Sequence, residues 1–151
     1  MIIDNISAKG QVAIELFDAF GDKINGIVIP NLVVTVGKNF IAASMIKTTV
    51  NTPAAMTHMA IGFGTTTQAI GNTALVSEQQ RNTFDGGYPT APAAVVTYRS
   101  TFTAGQATGA VTEAGIFNAA SGGTMLCRTT FSAINKAAAD SMTITWTITI
   151  A

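Results

Sequence analysis

The carboxyl-terminal stretch TITWTITI, residues 143–150, decides the fold class of this chain. Successive side chains of a β-strand point to opposite faces, and two kinds of residue alternate here without interruption. One face would carry Met142, Ile144, Trp146, Ile148 and Ile150, and the other Thr143, Thr145, Thr147 and Thr149. Because β-branched side chains are stiff in a helix, the period and the residue types both predict a strand.

The threonine side of this strand has two interpretations. In an ordinary sandwich it faces water. Alternatively it is covered by another chain, because it carries no charge that would prevent contact between strands or sheets. Phe17 is a further contact candidate, since it would lie on the opposite face from Val12, Ile14 and Leu16. The predicted interface residues are therefore Phe17, Thr143, Thr145, Thr147 and Thr149.

Charged residues are scarce in the whole chain. Eight Lys and Arg balance eight Asp and Glu, and together they make up 11% of the residues, against roughly 25% in an ordinary soluble domain. The mean hydropathy is +0.39. A monomer with such a neutral surface lacks the repulsion that keeps domains apart, so we expect burial against partners. Direct nucleic-acid binding is not expected, because there is no basic patch to neutralise phosphates.

Length and single residues set further bounds. The 151 residues fit one domain, with residues 1–11 as an extended amino-terminal contact arm. Cys127 is the only cysteine, which excludes an intramolecular disulfide and favours a reducing compartment. The start, MIIDNISAKG, does not have the pattern of a signal peptide, and the apolar runs are too short for a membrane helix. Cys127 and the only histidine, His58, belong to no catalytic motif, so we expect neither enzymatic activity nor a metal or cofactor.

The first half of the chain contains candidate strands and helices. Residues 11–17 alternate and are followed by Gly21 and by apolar residues 27–29, which predicts a hairpin. We interpret its acids, Glu15, Asp18 and Asp22, as solvated turn residues, not as a metal site. Residues 32–36 predict a strand, and the spacing in 37–47 predicts a short helix with Lys47 in its last turn.

From residue 58 onward, short strands and turns dominate. His58 begins a candidate strand, and the GFG at 62–64 lacks the third glycine of a dinucleotide-binding turn. Residues 73–81 predict a short helical turn in which Glu78 and Arg81 pair at the surface. A long loop follows to residue 94, and the predicted strands after it are joined by hairpins at 104–109 and 118–123. The pattern predicts a mainly β, antiparallel β-sandwich, jelly-roll or Ig-like, with one or two short helices.

Glu113 is a carboxylate in the middle of a predicted strand, on the same parity as Val111 and Phe117. A buried carboxylate requires a partner, so we predict a structural ion pair. The candidate cations are Arg81, Arg99 and Arg128.

The motifs form an ordered series that covers roughly residues 30–150. Its members are Gly37 opening a short helix, MAIGFG at 59–64, TALVSEQQR at 73–81, VTYRSTF at 96–102, VTEAGIFN at 111–118, GGTMLCRTTF at 122–131, Lys136 and DSMTITWTITI at 140–150. This succession resembles the head-proximal domains of bacteriophage tail-collar fibres and small capsid cement or decoration proteins. The resemblance implies a β-rich virion protein without catalysis, an oligomer and often a trimer. Its partners would be the major capsid protein or another virion protein, and it would reside in the host cytoplasm before assembly.

Three functions follow from these patterns. The leading one is a capsid cement protein that binds the head shell and stabilises it. The second is a tail, neck or collar adaptor of the virion. The third, of another class, is a carbohydrate-binding module that stacks sugars on Trp146, Tyr88 or Tyr98, although Trp146 belongs to the apolar row.

Overall fold

A computed structural model describes residues 5–46 and 52–151. Within these ranges the chain forms two antiparallel sheets and one helix, which confirms the predicted mainly β sandwich with a short helix. The elements are β1 Ala8–Phe17, β2 Lys23–Pro30, β3 Leu32–Val33, α1 Thr35–Ser44, β4 His58–Gly62, β5 Glu78–Thr83, β6 Val95–Phe102, β7 Gly109–Phe117, β8 Met125–Lys136 and β9 Ser141–Ile150.

The first sheet has the strand order β2-β1-β9-β6, and the second has β3-β8-β7-β4-β5. The alternating carboxyl-terminal strand, β9, lies inside the first sheet between β1 and β6. In its register Trp146 stands opposite Val12 on one side and Tyr98 on the other. Ile144 and Trp146 are completely buried between the sheets, so the apolar row of β9 is the centre of the core, as predicted.

The helix and the strand before it differ from the prediction. β3 has only two residues, and α1 begins at Thr35, two residues earlier than predicted, and ends at Ser44. The helix begins before Gly37 because the amide of Lys38 already donates to the carbonyl of Val34, at 3.0 Å. Gly37 lies inside the first turn, where a Cβ atom would be 2.0 Å from the carbonyl oxygen of Leu126 in β8. The predicted Lys47 lies outside the described residues.

The predicted helical turn at 73–81 is wrong. Residues 78–83 form β5, which pairs with β4, and residues 63–77 form a long loop that we call the strap. The strap reaches its position because the backbone N–H groups of Val76 and Ser77 donate to the buried Glu113 instead of forming helical bonds. The prediction relied on the three-residue spacing of Glu78 and Arg81, which is also the spacing of neighbours on a helix.

The predicted hairpin at 104–109 is also wrong, because β6 and β7 belong to different sheets. The connection crosses between the sheets and is held there by long-range bonds, such as the amide of Gly105 to the carbonyl of Ala138 at 2.8 Å. The predicted hairpins β1–β2 and β7–β8 are confirmed.

Part of the predicted amino-terminal contact arm, residues 1–11, belongs to the first sheet. Residues 8–11 belong to β1 and pair with β9. Ser7 exchanges two backbone hydrogen bonds with Ala151, at 2.6 and 2.8 Å, so it continues this ladder. Residues 1–4 lie outside the described residues. None of the helices in the described ranges has the length and apolar character needed to cross a bilayer.

Candidate functional site

The outer surface of the first sheet faces away from the core, and we call it the threonine face. Directly opposed residues of antiparallel strands point to the same side of the sheet. The rows across the strands are Pro30, Gln11, Thr147 and Thr97; Val28, Ala13, Thr145 and Arg99; and Gly26, Glu15, Thr143 and Thr101. Thr143, Thr145 and Thr147 are half-buried and Thr149 is exposed, so their hydroxyl and methyl groups remain accessible.

Most charges on the threonine face are neutralised within it. Glu15 and Lys23 form an ion pair at 2.9 Å. Arg99 lies 3.3 Å from the carboxylate of Asp85, and its guanidinium is 5.8 Å from the ring centre of Tyr88. Lys9, at one end of the face opposite Thr149, has no ion-pair partner among the described residues. The face is therefore a nearly neutral surface of short hydroxyl-bearing and aliphatic side chains.

The loop after β5 closes the outer edge of this sheet. Thr90 and Thr97 exchange two backbone hydrogen bonds, at 2.8 and 3.0 Å. Asp85 accepts hydrogen bonds from the amide and the hydroxyl of Thr101, at 3.0 and 2.8 Å. The edge of β6 is thus occupied by the protein's own chain, which removes a template for strand addition there.

Phe17 lies at one end of the threonine face, half-buried opposite Ser141. The aromatic residue three positions later, Phe20, was not among the predicted contact residues. Phe20 is 91% exposed at the tip of the β1–β2 hairpin. Asp18 fixes the tip, because its carboxylate accepts the amides of Phe20 and Asp22 at 2.9 and 3.0 Å. The sequence did contain an indication that Phe20 is exposed, because it lies at the centre of a turn that begins with an aspartate.

The predicted ion pair of Glu113 is confirmed, with Arg128 as the partner. An Arg128 Nη atom lies 2.8 Å from a Glu113 carboxylate oxygen, and both side chains are 0% exposed. Glu113 does not lie on the same face of β7 as Val111, although the two residues have the same parity in the sequence. A register shift between β7 and β8 separates Val111 from Glu113, so Val111 faces the core between the sheets while Glu113 lies under the strap.

Glu113 gathers backbone donors from both ends of the strap. Its carboxylate accepts the amides of Gly64 at 3.0 Å, Ser77 at 2.7 Å and Val76 at 3.0 Å. Burial by itself would raise the pKa of Glu113, but the hydrogen bonds from Ser77, Val76 and Arg128 and the charge of Arg128 outweigh it and hold the pKa below its ordinary value. The carboxylate is therefore ionised at neutral pH.

Arg128 binds the middle of the strap. Its guanidinium donates to the side-chain oxygen of Asn72 and to the carbonyl of Thr66, both at 2.9 Å. The hydroxyl of Thr112 donates to the carbonyl of Gly64 at 2.8 Å. The contacts explain both glycines of the GFG sequence: a Cβ atom on Gly64 would lie 2.4 Å from the Glu113 carboxylate, and one on Gly62 would lie 2.4 Å from the carbonyl oxygen of Ser77. The buried pair is a structural clamp that holds the strap on the second sheet.

The other predicted ion pair also forms, although on a strand. Glu78 and Arg81 are 2.7 Å apart. A bulge in β5 opposite Ile61 and Gly62 brings residues three apart onto one side of the strand. Arg81 additionally donates to the carbonyls of Ala119 and Gly122, each at 2.9 Å, and so ties β5 to the β7–β8 turn.

The residues considered for chemistry or for ligand stacking are internal or structural. Trp146 is 0% and Tyr98 8% exposed, so neither presents a platform for a sugar ring. Tyr88 is half-buried beside Arg99. Cys127 is buried, and burial raises the pKa of its thiol. The described residues contain no group of three His, Cys, Asp or Glu side chains placed to hold a metal ion.

Comparison of the chain with protein-family models, with curated proteins and with solved structures finds no match.

Proposed function

We propose that this protein is a bacteriophage capsid cement or decoration protein, which binds the head shell as an oligomer and stabilises it. The observation that carries the proposal is the threonine face: four strands wide, exposed, and with its charges mostly paired internally. A surface without repulsive charge is suited to burial against other copies or against a shell.

The size of the face supports this role. Four strands at about 4.8 Å spacing and about 30 Å of strand length give on the order of 600 Å² per subunit. A stable interface buries about 800 Å² per partner, so the face and the adjoining hairpin together approach that area. Many copies on a lattice add avidity, so no single contact has to be strong. The expected state is a homotrimer that contacts the major capsid protein.

The order of motifs described above, similar to small phage decoration proteins, supports a virion location with the host cytoplasm as the site of synthesis. The proposal includes neither direct DNA contact nor a membrane, since eight Lys and Arg balance eight Asp and Glu and the apolar runs of the sequence are too short for a membrane helix.

Binding to empty heads tests the function. The purified protein should co-sediment with expanded, DNA-free phage heads and raise their melting temperature. A Thr145→Lys variant, with a charge in the middle of the threonine face, should fold and fail to bind. Thr73→Lys, an exposed strap position, is the matched control and should bind normally. The proposal would be contradicted if the wild-type protein did not co-sediment with empty heads and did not change their melting temperature.

The copy number in a virion separates the cement role from that of a tail, neck or collar adaptor. Hundreds of copies indicate a shell protein, and a few or a dozen indicate an adaptor. The carbohydrate-binding alternative is not proposed, because Trp146 and Tyr98 are buried and Tyr88 is half-buried beside Arg99.

A further inference from the structure

The two ends of strand β1 carry complementary features. At one end is the hairpin tip, residues 18–22, where Phe20 is 91% exposed. At the other end is a groove of about 440 Å³ between the amino-terminal segment, α1 and β9. The groove is lined by Ile6, Ile41, Ala42, Met45 and Ile150, with Lys38 among its lining residues.

The hairpin tip is an acidic, preorganised knob. Asp18 and Asp22 flank Phe20, and neither has an ion-pair partner among the described residues. Because the carboxylate of Asp18 holds the amides of Phe20 and Asp22, the aromatic ring is presented by a fixed backbone. A preorganised aromatic residue loses little conformational entropy on docking, which favours it as an interface anchor.

The groove is apolar, with the basic residue Lys38 in its lining. Ile6 is 74% and Met45 74% exposed, so the apolar surface is open to solvent. Lys38 lines the groove and lacks an ion-pair partner among the described residues. Lys9 also lacks one, but it lies on the threonine face, on the opposite side of β1 from the lining residue Ala8. The remaining described Lys and Arg side chains are engaged: Lys23, Arg81, Arg99 and Arg128 in ion pairs, and Lys136 with the carbonyl of Thr103.

Knob and groove of one molecule cannot meet. β1 has ten residues and leads from the groove to the hairpin, and at about 3.3 Å per residue it holds them about 30 Å apart. The acidic aromatic knob and the basic apolar groove therefore fit two different copies.

We propose that the protein associates head to tail, with Phe20 of one copy in the groove of the next and with Asp18 and Asp22 facing Lys38. This inference rests on the proposed function, since it names the contact that would build its oligomer. A head-to-tail contact uses two different surfaces of the chain, so it closes into a ring when the rotation between copies permits. Three junctions would complete the expected trimer.

Complementation between two variants tests the junction. Phe20→Ser removes the knob but keeps the turn, and Ala42→Glu fills the groove and neutralises Lys38. Both positions are exposed, so the variants should fold. Each variant alone should be monomeric by sedimentation velocity where the wild type is associated, with a Kd raised on the order of 30-fold. Their equimolar mixture should form dimers and stop there, because a single intact junction remains.

A charge exchange tests the electrostatic part. Lys38→Glu should weaken association, and adding Asp22→Lys should restore part of it. Asp18 is left intact because it holds the turn. Ile70→Ser removes an apolar side chain of 60% exposure in the strap and should leave association unchanged.

The outcomes separate the two proposals. If Phe20→Ser retains the wild-type oligomer, or if the mixture of variants stays monomeric, the head-to-tail contact is refuted and the cement function remains. If the wild type itself is monomeric at every concentration and does not bind heads, both are refuted.

Discussion

Replacing Glu113 with Gln should destabilise the protein far more than the loss of an exposed carboxylate does. The carboxylate oxygen that accepts Val76, at 3.0 Å, also accepts Arg128 Nε at 3.1 Å and Nη at 2.8 Å. The other oxygen accepts Gly64 and Ser77. In either orientation, a glutamine amide places an NH₂ group against donors. Arg128 keeps its hydrogen bonds to Asn72 and Thr66 but becomes a buried charge without a counter-ion.

The magnitude follows from these contacts. An unsatisfied buried donor costs about 1–3 kcal/mol, and removing one partner of a buried ion pair costs about 3–5 kcal/mol in total. We therefore expect Glu113→Gln to lower the free energy of unfolding by about 3–5 kcal/mol. Urea unfolding followed by fluorescence measures this directly, since Trp146 is the only tryptophan and is 0% exposed.

Glu15→Gln is the matched control. It removes the carboxylate of an ion pair whose side chains are 52% and 38% exposed, so its cost should stay below about 1 kcal/mol. The double variant Glu113→Gln/Arg128→Met should lose less free energy of unfolding than the two single variants summed. Each single variant leaves one charged group of the pair buried without its partner, and the double variant does not. Equal losses for Glu113→Gln and Glu15→Gln would refute the account of the clamp.

Three further predictions concern the clamp, the helix and the core. The pKa of folded Glu113 lies below its ordinary value of 4.5. The ionised carboxylate therefore stabilises the folded protein fully above that pH, and this contribution is lost as the pH falls through the folded pKa. Below about pH 4.5 the urea midpoint should fall more steeply in the wild type than in Glu113→Gln. Gly37→Ala would place a Cβ atom 2.0 Å from the oxygen of Leu126, so α1 must shift and thermal unfolding should show a loss of about 1–3 kcal/mol. Cys127 is 0% exposed with its thiol pKa raised, so a thiol reagent should label it only in urea; rapid labelling of the folded protein would contradict its placement.

The sequence predicted the strands that have one solvent-facing side and one apolar side packed in the core. The strict alternation of β9 identified the core strand, because only a strand keeps Ile144 and Trp146 on one side. In contrast, β5 has the sequence EQQRNT, without an apolar row, because it is an edge strand whose Asn82 binds the carbonyl of Thr101 in the other sheet. Local periodicity therefore gave no indication of a strand there.

Long-range pairing was the second limit. A Gly-containing loop such as residues 104–109 is compatible with a hairpin or with a crossing between sheets. Here the connection crosses between the sheets, and the side-chain amide of Asn82 in β5 donates a hydrogen bond to the side-chain oxygen of Gln106 in this connection, at 2.9 Å. A carboxylate in mid-strand required a cation, so the ion pair of Glu113 was predictable. The choice of Arg128 was not, because it depends on the pairing of β7 with β8.

The central claim is that the neutral exterior of this chain is buried by self-association. Sedimentation equilibrium of the wild-type protein over a wide concentration range tests it most directly. We predict a discrete species with three times the chain mass of 15.6 kDa. A single species of 15.6 kDa at every concentration would contradict the account.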